Sequence, residues 1–265
     1  MEPSHIAERT TTNQSVERAL AVLKVFGAEG QPLRVNEVAK LCDLGTSTTS
    51  RLLATLVDAG MLERSEGGAY QLGSAVITLA GAALNQSPLC REARPVAYEI
   101  SCEMGLGANV AERRDNQVFY LLHFDGKLAP RSHTLIGRRN PLHATALGKC
   151  LASEMSSTER SEAFTAYPLY PYTPNTIVDR DALDRELDLV QHRGYATENE
   201  ELALSRCCVA APIRGRDGTI LAAISISGPI SAVNLDEREP EFARKVLESA
   251  DRIGTAIGAS HRRLL

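Results

Sequence analysis

The sequence predicts an α+β protein in two parts, and three observations carry that prediction. Residues 1–72 hold three short stretches of helical apolar spacing, then a glycine-tipped pair of extended runs. An alanine-rich apolar segment with few charges, GSAVITLAGAALN, follows at 73–85. From residue 88 onward, strand-like and helix-like patterns intersperse, which argues for helices layered on an antiparallel sheet. The expected limits are a disordered leader at 1–13, a first domain at 14–72, a linker helix at 73–87 and a second domain at 88–265.

The elements follow in order. The opening residues, MEPSHIAERTTTNQ, lack the basic-then-apolar pattern of a secretion signal. A first helix is expected over 15–26, with Val16, Ala19, Leu20, Leu23 and Phe26 on one side. Gly27, Gly30 and Pro32 break it. A short second helix over 36–42 turns Val38, Leu41 and Cys42 inward.

The third helix, within GTSTTSRLLATLVDAG at 45–60, is the most informative stretch. Thr46 and Ser47 are candidate N-caps, and Leu52, Leu53, Leu56 and Val57 form the buried stripe. Gly60 stands where a positive φ is favoured at the helix end. Ser47, Thr48, Ser50 and Arg51 occupy the exposed face at the amino end. Short hydrogen-bonding side chains with one long cation suit a helix tip that enters a DNA major groove. Any amphipathic helix shares the cap and the stripe, so the neighbours decide. MLERSEGGAYQL gives a β-hairpin around 65–68, and three helices plus a hairpin in about 60 residues make a winged helix-turn-helix. Arg34, Arg51 and Arg64 are candidate phosphate or base contacts, and Thr46, Ser47, Thr48, Thr49 and Ser50 are candidates at the recognition tip.

The 73–85 segment is too apolar to stand exposed, so it is expected to pair with a helix of another subunit. Beyond the Ser87-Pro88 boundary, helices are expected over 90–104, 144–154, 181–192 and 240–263. The 90–104 helix either tolerates Pro95 or kinks there. A strand is expected over 118–124, and strands over 207–213 and 219–227 form a hairpin around 214–218.

Composition narrows the function. The chain has 265 residues, 43% apolar and 23% charged, with net charge −4. No apolar run reaches the roughly 20 residues of a membrane span. The six cysteines are scattered, with no CxxC pair, and are expected to be core residues in a reducing cytoplasm. Residues 1–72 hold seven Lys/Arg against nine Asp/Glu, a weak balance for a phosphate binder. Its cations must therefore be sorted onto one face and supplemented by a second copy. No GxSxG elbow is present, and GRRNPLHATALGKC fails the phosphate-loop spacing, so neither signature argues for an enzyme. Vicinal Cys207 and Cys208 leave open a redox-responsive or metal-responsive regulator, although adjacent strand residues point to opposite faces. No cofactor and no metal are expected.

Four segments, SVERALAVLKVF, GTSTTSRLLATLVDAGML, GRRNPLHATALGKCLA and GYATENEE with CCVAAPIRGRDGTILAAISISGP, together resemble the IclR family of bacterial transcriptional regulators. The likeness runs from about residue 14 to 258. It implies an amino-terminal winged helix-turn-helix, a linker helix and a carboxy-terminal GAF-like effector domain. It also implies homodimers, often paired into tetramers, on a pseudo-palindromic double-stranded DNA operator. Control would be by a small organic acid, aromatic or short-chain.

By that resemblance, the effector pocket falls on Asn140, Ala146, Leu147, Glu198, Arg206, Cys208, Ala210, Ser225 and Ser227. The residues supply reasons. Ser225 and Ser227 share one strand face, and Cys208 and Ala210 share a face of the neighbouring strand. The small residues at 141–149 suit either an anion at a helix start or tight packing of that helix on the sheet. His143 reads as a structural histidine. Arg206 could bind an acidic effector bidentately, or be neutralised by Glu198, Glu200 and Glu201.

Overall fold

The computed structural model of the protein describes residues 13–128 and 136–258. The chain divides into two compact units, Met1–Ala83 and Leu84–Leu265. The leader up to residue 12 and the end of the expected 240–263 helix lie outside the described residues.

Helix α1 (Gln14–Glu29) starts at Asn13, whose side chain accepts from the Ser15 amide, and stops at Gly30 with φ 66°. Its buried residues are Val22 and Phe26, while Val16 and Leu20 are each 52% exposed. The apolar spacing on α1 therefore merges a core face with a second, unpartnered face. Helix α2 (Val35–Leu41) buries Val38 and Ala39 and leaves Leu41 exposed, so Ala39 takes the inward place expected of Leu41.

Helix α3 (Thr46–Asp58) is capped by Gly45, not by Thr46 or Ser47, which are already helical. Thr49 closes the first turn by donating its hydroxyl to the Gly45 carbonyl at 3.1 Å. Leu53 and Leu56 are buried, and Gly60 holds φ +69° after the helix. Strands β1 (Leu62–Arg64) and β2 (Tyr70–Leu72) pair antiparallel around a single 3₁₀ turn, and Leu33 bridges to Tyr70. The core joins Val22, Phe26, Leu33, Val38, Leu53, Leu56, Leu62 and Tyr70. This is a winged helix-turn-helix. Helix α4 (Ser74–Gln86) buries none of its residues; Ile77 is 75% and Leu79 56% exposed.

In the second unit, α5 (Pro88–Met104) starts on the Ser87 side chain and runs through Pro95. Strands β3 (Gly107–Arg114), β4 (Gln117–Phe124), β5 (Arg139–Asn140), β6 (Ala196–Asn199), β7 (Arg206–Arg214) and β8 (Ile220–Pro229) form one antiparallel sheet, ordered β5-β4-β3-β8-β7-β6. Three short helices, α6 (Ala146–Ala152), α7 (Ser157–Ala166) and α8 (Arg180–Arg193), precede β6. After β8 come α9 (Ile230–Val233) and α10 (Leu235–Ala256), and α10 runs through Pro240 from a start five residues earlier than expected.

Period-2 burial sorts the two faces. Val209, Ala211, Ile224 and Ile226 pack with α5 and α10 in one core. Ala210 and Ala223 pack with α6, α7 and α8 in the other. The α+β layering of helices on an antiparallel sheet is as the sequence predicts.

Candidate functional site

The winged unit presents a polar tip. On α3, Thr46, Ser47, Ser50 and Arg51 are exposed and Thr48 is half-buried. Thr49 is 0% exposed, so it cannot reach DNA and leaves the candidate set as a helix-closing residue. The first turn of α3 carries no acidic residue, so the positive end of the helix dipole faces outward unopposed by its own side chains. Arg64 is exposed on the hairpin and lies over the Tyr70 ring at 5.1 Å. Arg34, also exposed, follows Leu33, which pairs with the same Tyr70. Arg64 is thus on the wing, Arg34 next to the residue that bridges to it, and Arg51 on α3.

In the second unit, a cavity of about 230 Å³ opens on the α6 face of the sheet. Asn140, Ala146, Leu147, Glu198, Arg206, Cys208, Ser225 and Ser227 all line it. Ala210 does not: it is 0% exposed, packed under α6, where its carbonyl accepts from the Cys150 thiol at 3.3 Å. Five lining residues were not assigned to the pocket from the sequence: Asn109, Tyr120, Thr145, Leu202 and Cys207. Asn109 reaches the site because β3 pairs with β8 in a register that sets it opposite Ser225.

The cavity wall is rich in donors. Asn109 Nδ2 donates to Ser225 Oγ at 3.3 Å and Ser227 Oγ at 3.2 Å. Behind it, Asn109 Oδ1 lies 2.8 Å from His123 Nδ1. Asn140 Nδ2 donates to the Tyr120 hydroxyl at 3.1 Å. Tyr120 and Ser227 use their oxygens as acceptors here and keep their own O–H protons to offer. Burial pushes the Tyr120 phenol up to about 12, so it remains a donor.

Glu198 is the second electrostatic feature. Burial raises its carboxyl to about 7, against the pull of two amides, from Glu201 at 2.6 Å and Leu202 at 3.2 Å, that bond Oε1. Near neutral pH it alternates between proton donor and anion. Arg206 is the third feature, and the acids the sequence offered as its partners are engaged elsewhere. Glu198 takes the two amides, Glu200 accepts from the Ser205 amide at 2.6 Å, and Glu201 from Lys149 Nζ at 2.6 Å. Among the described residues, Arg206 makes no ion pair and no side-chain hydrogen bond.

At the start of α6, one of the free amides is capped. Thr145 Oγ1 already accepts from the Gly148 amide at 2.9 Å. Gly148 is there for packing, since a Cβ would stand 2.2 Å from the Leu142 carbonyl oxygen. His143 is buried and bonds the Tyr170 carbonyl at 3.1 Å, with its imidazole pushed down by desolvation.

The cysteines do not look like a sensor. Cys207 and Cys208 point to opposite faces, and burial raises both thiols, Cys207 to about 11 and Cys208 further. Scarce thiolate means slow oxidation. Among the described residues, no group of three His, Cys, Asp or Glu could hold a metal, and no helix is long and apolar enough to cross a membrane.

Both parts of the chain match known protein families. The helix-turn-helix domain of IclR matches residues 15–66, and the C-terminal domain of bacterial transcriptional regulator IclR matches 81–255. The HTH-type transcriptional regulator XynR of Escherichia coli (strain K12) is 30% identical over 246 residues, 92% of this chain and 97% of XynR. The HTH-type transcriptional repressor AllR of Klebsiella pneumoniae is 31% identical over 246 residues, 92% of this chain and 90% of AllR. An IclR homolog from Microbacterium hydrocarbonoxydans, crystallised with 4-hydroxybenzoate, superposes with TM-score 0.82 at 25% identity, covering 93% of this chain and 100% of that one.

Proposed function

The chain belongs to the IclR family of bacterial transcriptional regulators and is a DNA-binding regulator, not an enzyme, and we propose that it controls a catabolic or metabolic operon in response to a small organic acid. The observation that carries this reading is Arg206, a guanidinium with no ion pair among the described residues, at a donor-lined cavity of about 230 Å³. A carboxylate would answer Arg206 with a charge-assisted, bidentate bond. Tyr120, Ser227 and protonated Glu198 would serve further oxygens on the same molecule. The cavity lies below the roughly 300–1,000 Å³ of drug-sized pockets, which favours a compact acid. The 4-hydroxybenzoate held by the Microbacterium homolog is a molecule of this class.

DNA binding would use Thr46, Ser47, Thr48, Ser50 and Arg51 on α3, with Arg34 and Arg64 beside the wing. One such unit has few cations, so two copies would act together on a pseudo-palindromic operator with half-sites about one helical turn apart. The unpartnered apolar residues of α1 (Val16, Leu20) and α4 (Ile77, Leu79) support a homodimer, which would pair further into a tetramer. In this reading the winged domain spans 14–72, the linker 73–87 and the effector domain 88–265.

A thermal-shift screen against aromatic and short aliphatic acids tests the proposal. At least one acid should raise the melting temperature of the wild type and leave that of Arg206→Ala unmoved. A stabilising acid that acts equally on both proteins would remove Arg206 from the site.

A further inference from the structure

The loop joining β6 to β7, residues 200–205, has the construction of a moving part. Both ends adopt left-handed backbone without glycine: Glu200 at φ 57° and Ser205 at φ 63°. Each such residue costs about 1 kcal/mol and persists only where its surroundings hold it. The ends are pinned to one another, because Glu200 N donates to the Arg206 carbonyl at 2.9 Å and Ser205 N to Glu200 Oε1 at 2.6 Å. Inside those ends, the Glu201 and Leu202 amides donate to Glu198 Oε1 on β6, which holds the loop to the strand before it. Leu202 lines the cavity, whereas Leu204 is 61% exposed on the outer side.

Further bonds tie this loop to the rest of the unit, among them Ile230 N, which donates to the Ser205 carbonyl at 3.1 Å. Thr173 Oγ1 donates to the Glu200 carbonyl at 2.5 Å, and Thr176 Oγ1 to the Glu201 carbonyl at 2.6 Å. Lys149 Nζ donates to Glu201 Oε1 at 2.6 Å. The threonines sit on an irregular strap between α7 and α8. The Tyr170 carbonyl of that strap bonds His143, just ahead of the α6 residues that line the opposite wall. Rotation about Glu200 and Ser205 would break these ties and stretch the two amide bonds to Glu198, while the Glu200–Arg206 backbone pair at the base of the loop stays closed. It would carry Leu202 away from the cavity.

We infer that residues 200–205 are a hinged lid on the effector pocket, latched by Thr173 and Thr176 to a strap that also holds the far wall. The inference rests on the cavity being the effector pocket, but its test needs no effector. Cys208 lines the cavity and is only partly exposed, so its labelling by N-ethylmaleimide reports opening. Cys90, 1% exposed in the core on the other face of the sheet, reports global loosening.

Peptide mass spectrometry of the labelled full-length protein resolves the two sites. Thr176→Val removes its latch bond, worth about 1 kcal/mol, and also takes away the oxygen to which the Tyr172 and Thr173 amides donate, so Cys208 labelling should quicken at least about fivefold while Cys90 stays unchanged. Thr176→Ser keeps the hydroxyl and should stay near the wild-type rate. Thr173→Val repeats the test if Thr176→Val fails to fold. Equal Cys208 rates in wild type and both valine variants would overturn the lid, as would Cys90 accelerating in step with Cys208. Loss of the effector reading with the labelling difference intact would leave a lidded cavity of other purpose.

Discussion

Replacing Glu198 by glutamine should stabilise the protein at alkaline pH and do little at acid pH. The folded carboxyl sits at about 7 against an ordinary 4.5, chiefly because burial removes its water. Below pH 4.5 both folded and unfolded chains carry the proton, and the group contributes nothing to the difference. Between the two values the unfolded chain releases a proton that the folded one retains, so stability falls as pH rises. Above pH 7 the whole penalty is present. A shift from 4.5 to about 7, at about 1.4 kcal/mol per unit, gives about 3 kcal/mol. Glutamine cannot ionise, and its Oε1 can still accept from the Glu201 and Leu202 amides. Urea denaturation at pH 5 and pH 8, followed by circular dichroism because the chain has no tryptophan, measures the effect. With slopes of roughly 2–3 kcal/mol/M, Glu198→Gln should raise the midpoint at pH 8 by about 1 M and barely move it at pH 5. Glu201 also titrates upward, so both proteins retain some slope, and only their difference belongs to Glu198. Identical differences at the two pH values would refute the desolvation argument.

The same group should govern the pH dependence of binding: affinity for a carboxylic acid falls as pH rises through about 7, where ionised Glu198 begins to repel it, and calorimetry on Glu198→Gln should find a flatter profile. Gly148→Ala drives a methyl against the Leu142 carbonyl and should destabilise by about 1–3 kcal/mol in thermal melts; an unchanged melting temperature would mean α6 is free to shift. Arg51→Ala should weaken operator binding and lower the salt slope of log K by about 1 per subunit, measured by fluorescence anisotropy. A slope equal to the wild type would place Arg51 off the phosphates.

The parts that the sequence foretold are those with strong local signals. Helix α3 and the β7–β8 hairpin were legible because their apolar periods are clear and glycines punctuate them. The strand alternation of β7 and β8 placed Cys208, Ser225 and Ser227 on one face, and the cavity opens there. Strand β3 was missed because GANVAERR opens on small residues without alternation. With it went Asn109, which reaches the pocket through a pairing 116 residues apart that no local pattern encodes. Helix α7 is polar, yet a capping box of Ser156 with Glu159 marks its start and could have revealed it. Thr49 and Ala210 share a different failing. Each belongs to the right segment, and each is fully buried by packing that spacing alone does not resolve.

The central claim is that an acid held at Arg206 alters DNA binding by the winged unit. Its most direct test is a titration of the gene's own upstream DNA with the protein, in the presence and absence of an acid found in the thermal-shift screen. Wild-type affinity for DNA should change by about 5- to 150-fold on adding the acid. Arg206→Ala should bind the same DNA with unchanged affinity and lose the response, because its charge-assisted bond to the acid, worth about 1.5–3 kcal/mol, is gone. A wild-type protein that binds the acid yet holds its DNA equally well with and without it would contradict the account.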